Sequence, residues 1–166
     1  VTVRLEQVDW ADPRAAALRD ALDAEMGDRY AHVGRSATPE EQAARARAFA
    51  IDPATMTSVR LAIDADGGVL GHAALRRLQH GPSVEWELKR LITVPAARGR
   101  GVGALLVRAI EADAAAAGAT RVILQTGDRQ PEAIGLYRRL GYRPVPAYAP
   151  YAGVIAEGLY FAKDLA

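Results

Sequence analysis

Six residues, Arg98-Gly99-Arg100-Gly101-Val102-Gly103, stand between a run that reads as a β-strand and one that reads as a long helix. Upstream, Trp86 to Val94 is apolar and β-branched and closes at Pro95; downstream, an apolar-periodic stretch from about Gly101 to Ala117 stops at Gly118. A helix N-terminus presents unpaired amides and the positive end of a dipole, and glycines let a bulky anion approach that backbone. Two arginines add charge-assisted donors. The junction predicts an α/β chain with a cradle for a pyrophosphate-bearing ligand.

The other elements arrange around it. Val1 to Val8 alternates apolar and polar residues and reads as a first strand. Asp12-Pro13 opens a helix carrying Leu18, Leu22 and Met26 on one face and ending at Gly27; Thr38-Pro39-Glu40-Glu41 opens a second that fades near Ile51-Asp52-Pro53. Asp28 to Ala37 reads as loop. Ser58 to Ala65 and Val69 to Leu78 flank the hairpin signal Asp64-Ala65-Asp66-Gly67-Gly68, and Ser83 to Val94 follows Gly81-Pro82, so three strands form an antiparallel meander. Beyond the glycine-rich turn and its helix, Thr120 to Thr126 reads as a strand parallel to the Trp86 run. Gln130-Pro131 opens a helix that buries Ala133, Ile134, Tyr137 and Leu140 and ends at Gly141; Tyr142 to Val145 and Leu159 to Lys163 read as closing strands.

Composition removes several function classes. A length of 166 residues, 50% hydrophobic and 25% charged, predicts one globular domain over residues 1–166. A net charge of +1 with dispersed arginines argues against nucleic-acid binding. The chain has no cysteine, hence no disulfide, thiolate ligand or cysteine nucleophile, and its three scattered histidines predict no metal site. No run reaches the roughly 18 apolar residues of a membrane span, and Val1 to Glu6 lacks a signal-peptide core, so no membrane partner and a cytoplasmic location are expected.

Two general phosphate-binding patterns do not fit. A Walker loop needs Gly-Lys-Ser/Thr, which is missing. Gly99, Gly101 and Ala104 approximate a dinucleotide fingerprint, but the next strand ends in Gln125-Thr126 rather than an acidic residue, and a meander precedes the turn instead of βαβ units.

The segment Leu91 to Gly103 resembles the acetyl-CoA signature of the GCN5-related N-acetyltransferase (GNAT) family, whose pattern Gln/Arg-x-x-Gly-x-Gly/Ala falls on Arg98, Gly101 and Gly103. A second family block follows in the family's order and spacing as Ala133-Ile134-Gly135-Leu136-Tyr137-Arg138-Arg139-Leu140-Gly141-Tyr142. The resemblance covers residues 55 to 164 well and the first helices only in outline. It implies a single-domain acyl-CoA N-acyltransferase fold, with a central mixed, mostly antiparallel sheet of six to seven strands and about four flanking helices.

The same resemblance implies acetyl-CoA as co-substrate, no metal, and direct transfer to an amine. The acceptor is expected to be a small metabolite or amino-acid-like amine, with a protein N-terminus or lysine as the alternative; a homodimer is compatible. Backbone amides of Arg98, Gly99, Arg100, Gly101, Val102, Gly103 and Ala104 would hold the pyrophosphate, and main chain at Ile92, Thr93 and Val94 would pair with the pantetheine arm. A bulge in the fourth strand would splay it, and an amide near Leu91 or Ile92 would polarise the acetyl carbonyl. Tyr137 matches the tyrosine that protonates the leaving thiolate, a role a phenol of pKa about 10 can fill at neutral pH. Gln130 stands where the family often has a cofactor-touching asparagine.

Glu85 and Glu87 share a strand face and are the best-placed carboxylates to take the amine proton; the resemblance implies Glu87, with Glu85 or a water relay as alternatives. Structural readings remain beside these: Tyr137 as a core aromatic, and Glu87 on a solvated face paired with Lys89. His72 and His80 read as ordinary surface. Acceptor selection is placed in Asp28 to Ala37 and Pro146 to Gly158, where Tyr30, His32, Tyr148 and Tyr151 suggest an aromatic pocket. A non-catalytic acyl-CoA sensor and a nucleotide-dependent oxidoreductase are the rival functions.

Overall fold

The computed structural model describes residues 2–166, so Val1 of the expected first strand lies outside the described residues. Its strands are β1 (Arg4–Gln7), β2 (Met56–Ile63), β3 (Val69–His80), β4 (Ser83–Thr93), β5 (Arg121–Gly127), β6 (Arg143–Pro144) and β7 (Gly158–Asp164). They form one mixed, mostly antiparallel sheet in the order β1-β2-β3-β4-β5-β7-β6, with β4 and β5 the parallel pair. The helices are α1 (Pro13–Arg29), α2 (Ala31–Ser36), α3 (Pro39–Phe49), α4 (Val102–Ala116) and α5 (Pro131–Arg139).

Local chemistry accounts for most boundaries. The Asp64 carboxylate accepts the amides of Asp66 and Gly68 at 2.9 and 2.7 Å, closing the β2–β3 hairpin. Thr38 and Glu41 form a reciprocal capping box at the start of α3. Alternation along the strands then gives the sheet two apolar faces. Leu88, Val122 and Leu124 meet Leu106, Val107 and Ile110 of α4 and Tyr137 of α5, while Val59, Leu61, Ile63 and Ile92 meet Ala15 and Leu18 of α1. A third cluster joins Ala48 of α3 to Tyr151, Ile155 and Tyr160.

The first helical region departs from expectation. α1 passes through Gly27 to Arg29, and α2 replaces most of the expected Asp28 to Ala37 loop, giving five α-helices among the described residues. Tyr30 explains this: its amide bonds to the Met26 carbonyl at 3.0 Å, and its hydroxyl accepts the Arg129 amide at 2.9 Å. That long-range anchor overrides the local glycine signal. Among the described residues no helix is long and apolar enough to cross a membrane.

Candidate active site

The site begins with one extra residue in β4. The step from His72 to Ala74 on β3 faces a three-residue step from Ile92 to Lys89 on β4, and Arg90 takes up the excess at φ 55°. β4 and β5 are paired at Glu87 and Ile123, and the strands then part.

His72 holds the bulge. Its Nδ1 lies 2.7 Å from the Arg90 carbonyl, which can only accept, so Nδ1 carries the proton and Nε2 accepts from Arg19 Nη1 at 3.3 Å. The Arg19 guanidinium in turn lies 3.7 Å above the Trp10 ring. His72 is fully buried rather than at the surface as expected, and desolvation, with Arg19 and Arg90 nearby, lowers its pKa to about 4. The folded state therefore keeps it neutral while the unfolded chain binds a proton below about 6.5. Its contribution to stability is complete above that pH and is lost as pH falls toward 4, a total of about 3 kcal/mol. Urea midpoints at pH 7.5 and 4.5 are expected to differ less in His72→Asn than in the unmodified chain; an equal difference would exclude this linkage.

The first of two neighbouring cavities, about 540 Å³, runs from the parted strands to the start of α4. Ile92, Thr93, Arg98, Gly99, Gly101, Val102, Gly103, Ala104 and Gln130 line it. Gly101 caps α4 at φ 79° with no side-chain partner, a conformation suited to glycine. The amides of Gly99, Gly101, Val102, Gly103 and Ala104 have no acceptor among the described residues, whereas those of Arg98 and Arg100 bond to Pro95 and Ala97 carbonyls at 3.2 and 3.4 Å. The open donors thus form a shorter set than the sequence suggests. Arg100 points its guanidinium to the Ala96 carbonyl, and Arg98 is engaged by Glu25 of α1 at 2.6 Å. The Val94 amide donates to the Leu70 carbonyl and the Val94 carbonyl accepts from the Ala97 amide, both at 2.9 Å, while Ile92 and Thr93 line the cleft, with the Thr93 carbonyl accepting from Arg98 Nε at 3.3 Å.

The second cavity, about 480 Å³, shares Leu22, Met26, Leu91 and Gln130 with the first and continues past Tyr137, Tyr30, Phe49, Lys89 and Gln125. Tyr137 belongs to the core and also borders this cavity, and burial raises its pKa above the ordinary phenol value, so it stays protonated. Among the described residues neither its hydroxyl nor the Gln130 amide has a side-chain hydrogen bond.

Glu87 borders neither cavity and is fully buried, not solvated. Arg76 donates to its Oε1 at 2.5 and 3.0 Å, Tyr148 to Oε2 at 2.7 Å, and Tyr151 to Oε1 at 3.3 Å. Tyr148 and Tyr151 are therefore not pocket walls but the cover over this carboxylate. Glu85 is paired with Arg121 at the sheet's surface, and His32 stacks on Tyr30 outside the cavity. Lys89 was visible in sequence only as a partner for Glu87. The available signal was a lysine two residues on from it, on the same face of an apolar strand.

Residues 16–142 match the acetyltransferase (GNAT) family. Over 79 residues, the chain is 40% identical to an IAA acetyltransferase of Azospirillum brasilense, covering 48% of this chain and 51% of that protein. An uncharacterized protein of Mycobacterium leprae is 36% identical over 91 residues, 53% of this chain and 24% of its own length. The chain thus spans about half of one relative and a quarter of the other. A crystal structure of a Klebsiella pneumoniae protein described as an acyl-CoA N-acyltransferase superposes with a TM-score of 0.76 at 25% identity, covering 99% of this chain and 98% of that one.

Proposed function

The chain belongs to the acetyltransferase (GNAT) family, and from that premise we propose that it transfers the acetyl group of acetyl-CoA directly to a small amine, as one catalytic domain over residues 1–166. The observation that carries this reading is the continuity of the parted β4 edge with the unpaired amides at the start of α4. A diphosphate suits those amides and the helix dipole, and an extended amide chain suits the strand edge.

Acetyl-CoA supplies the activated thioester. The amides of Gly99 and of Gly101 to Ala104 bind its diphosphate, Ile92 and Thr93 orient its arm, and an amide at Leu91 or Ile92 polarises the carbonyl. Tyr137 gives its phenolic proton to the sulfur as the C–S bond breaks and the new C–N bond forms. With Glu87 and Glu85 both occupied by arginines, the amine's proton leaves through water in the second cavity. Glu87 acts from behind by holding Tyr148, Tyr151 and Lys89 in place.

An acetyl-CoA consumption screen against amines tests this reading. Turnover with at least one small amine is expected; binding without turnover across the panel would instead favour a sensor. A thiolate leaves readily, so Tyr137→Phe is expected to lower kcat by about a hundredfold, the low end for a general acid, with acetyl-CoA affinity nearly kept. An unchanged kcat would remove Tyr137 from that role.

A further inference from the structure

Lys89 lines the second cavity, and its ammonium is only partly compensated by its surroundings. Arg45 is paired with Glu157 at 2.5 Å, and Arg90 is paired with Asp23. Lys89 is different. Its residue is 8% exposed, its Nζ donates to the Tyr151 hydroxyl at 2.6 Å, and the nearest carboxylate oxygen, Glu87 Oε1, is 3.9 Å away. That oxygen already accepts from Arg76 and Tyr151, so behind the cavity wall two cations share one carboxylate. An ammonium has three donors, and only one is satisfied by a hydrogen bond among the described residues.

We propose that Lys89 is the anchor for a carboxylate on the acceptor, so that the amine acetylated here is an amino acid rather than a plain alkylamine. The assignment rests on the acetyl-transfer reading above. Arg76, Lys89 and Glu87 together carry one net positive charge, which suits a monoanion, and in a buried setting the charge-assisted bond gains strength from the low local dielectric. The cavity's other walls include Leu22, Met26, Phe49 and Leu91, which suit an apolar side chain. Tyr137 borders the same cavity, so a carboxylate on Lys89 leaves the amine to lie toward the thioester. Burial and the neighbouring Arg76 and Arg90 hold the Lys89 pKa down to about 8, against the pull of Glu87; a bound carboxylate would relieve that unfavourable environment.

The test compares matched pairs at saturating acetyl-CoA: phenylalanine with phenethylamine, and leucine with 3-methylbutylamine. The readout is the ratio of kcat/KM for the acid to that for its decarboxylated partner, in the unmodified chain, Lys89→Gln and Lys89→Arg. The unmodified chain should prefer the acid. Lys89→Gln should lower the ratio roughly ten- to a hundredfold, the worth of a hydrogen bond to a charged group, and Lys89→Arg should restore much of it. An unchanged ratio, or equal loss on both partners, would overturn the assignment. Should Lys89→Gln not fold, phenylalanine methyl ester replaces it as probe: poorer turnover than phenylalanine by the unmodified chain supports the anchor, and equal turnover refutes it. Turnover confined to amines without a carboxylate would leave acetyl transfer standing and sink this proposal, whereas no acetyl-CoA binding would fail the acetyl-transfer reading itself.

Discussion

Replacing Gly103 with glutamate is expected to weaken acetyl-CoA binding by at least about a hundredfold while leaving the fold intact, because under the proposed function the open amides at the start of α4 hold the diphosphate. Gly103 lies in the first turn of α4 and lines the first cavity. Its backbone does not require glycine; an added Cβ would come within 3.2 Å of Leu136 Cδ2 and 3.8 Å of Thr93 Cγ2, which asks only a small shift of a leucine methyl. The new carboxylate would enter the region of the open amides and repel a diphosphate. An acid there also complements the dipole, worth about 0.3–1 kcal/mol to the helix, so thermal stability should hold. Calorimetric titration and a melting curve on the same sample separate the two effects. Undiminished affinity would move the diphosphate elsewhere.

Removing the Glu87 side chain is expected to act on stability instead. Glu87→Ala should cost about 3–5 kcal/mol, the usual penalty for breaking a buried ion pair and leaving its partner uncompensated. Arg76 is 5% exposed, so its guanidinium would lose its counterion without gaining water, and Lys89 would lose its nearest negative charge. Tyr148 and Tyr151 would also lose an acceptor. Glu85→Ala is the control: its pairing with half-exposed Arg121 is a surface contact worth about 0–1 kcal/mol. Urea unfolding of both variants decides the matter. A cost below about 1 kcal/mol for Glu87→Ala would mean that water reaches the network.

Legibility followed the range of the interactions. The capping box at Thr38, the Asp64 hairpin and the glycine-rich turn are set by residues a few positions apart, and each was readable. The meander and the parallel partner of β4 followed from element order. The bulge was not readable at its position, since Arg90 adopts positive φ under a contact from His72 on a different strand. Nor was the fate of the two glutamates. Alternation puts Glu85 and Glu87 on one face, but only the return of the Tyr148–Tyr151 segment decides that Glu87 is covered while Glu85 meets Arg121 at the surface. Tyr30 shows the same limit, because its contact with Arg129 links distant parts of the chain. Long-range packing, not local propensity, set these outcomes.

Under the proposed function, the cleft between the parted β4 edge and α4 receives acetyl-CoA. Backbone amide resonances followed by NMR during an acetyl-CoA titration test it most directly. Saturating shifts concentrated at Ile92, Thr93, Gly99 and Gly101 to Ala104, absent in Gly103→Glu, are the predicted result. No shifts, or saturating shifts that bypass these residues, would contradict it.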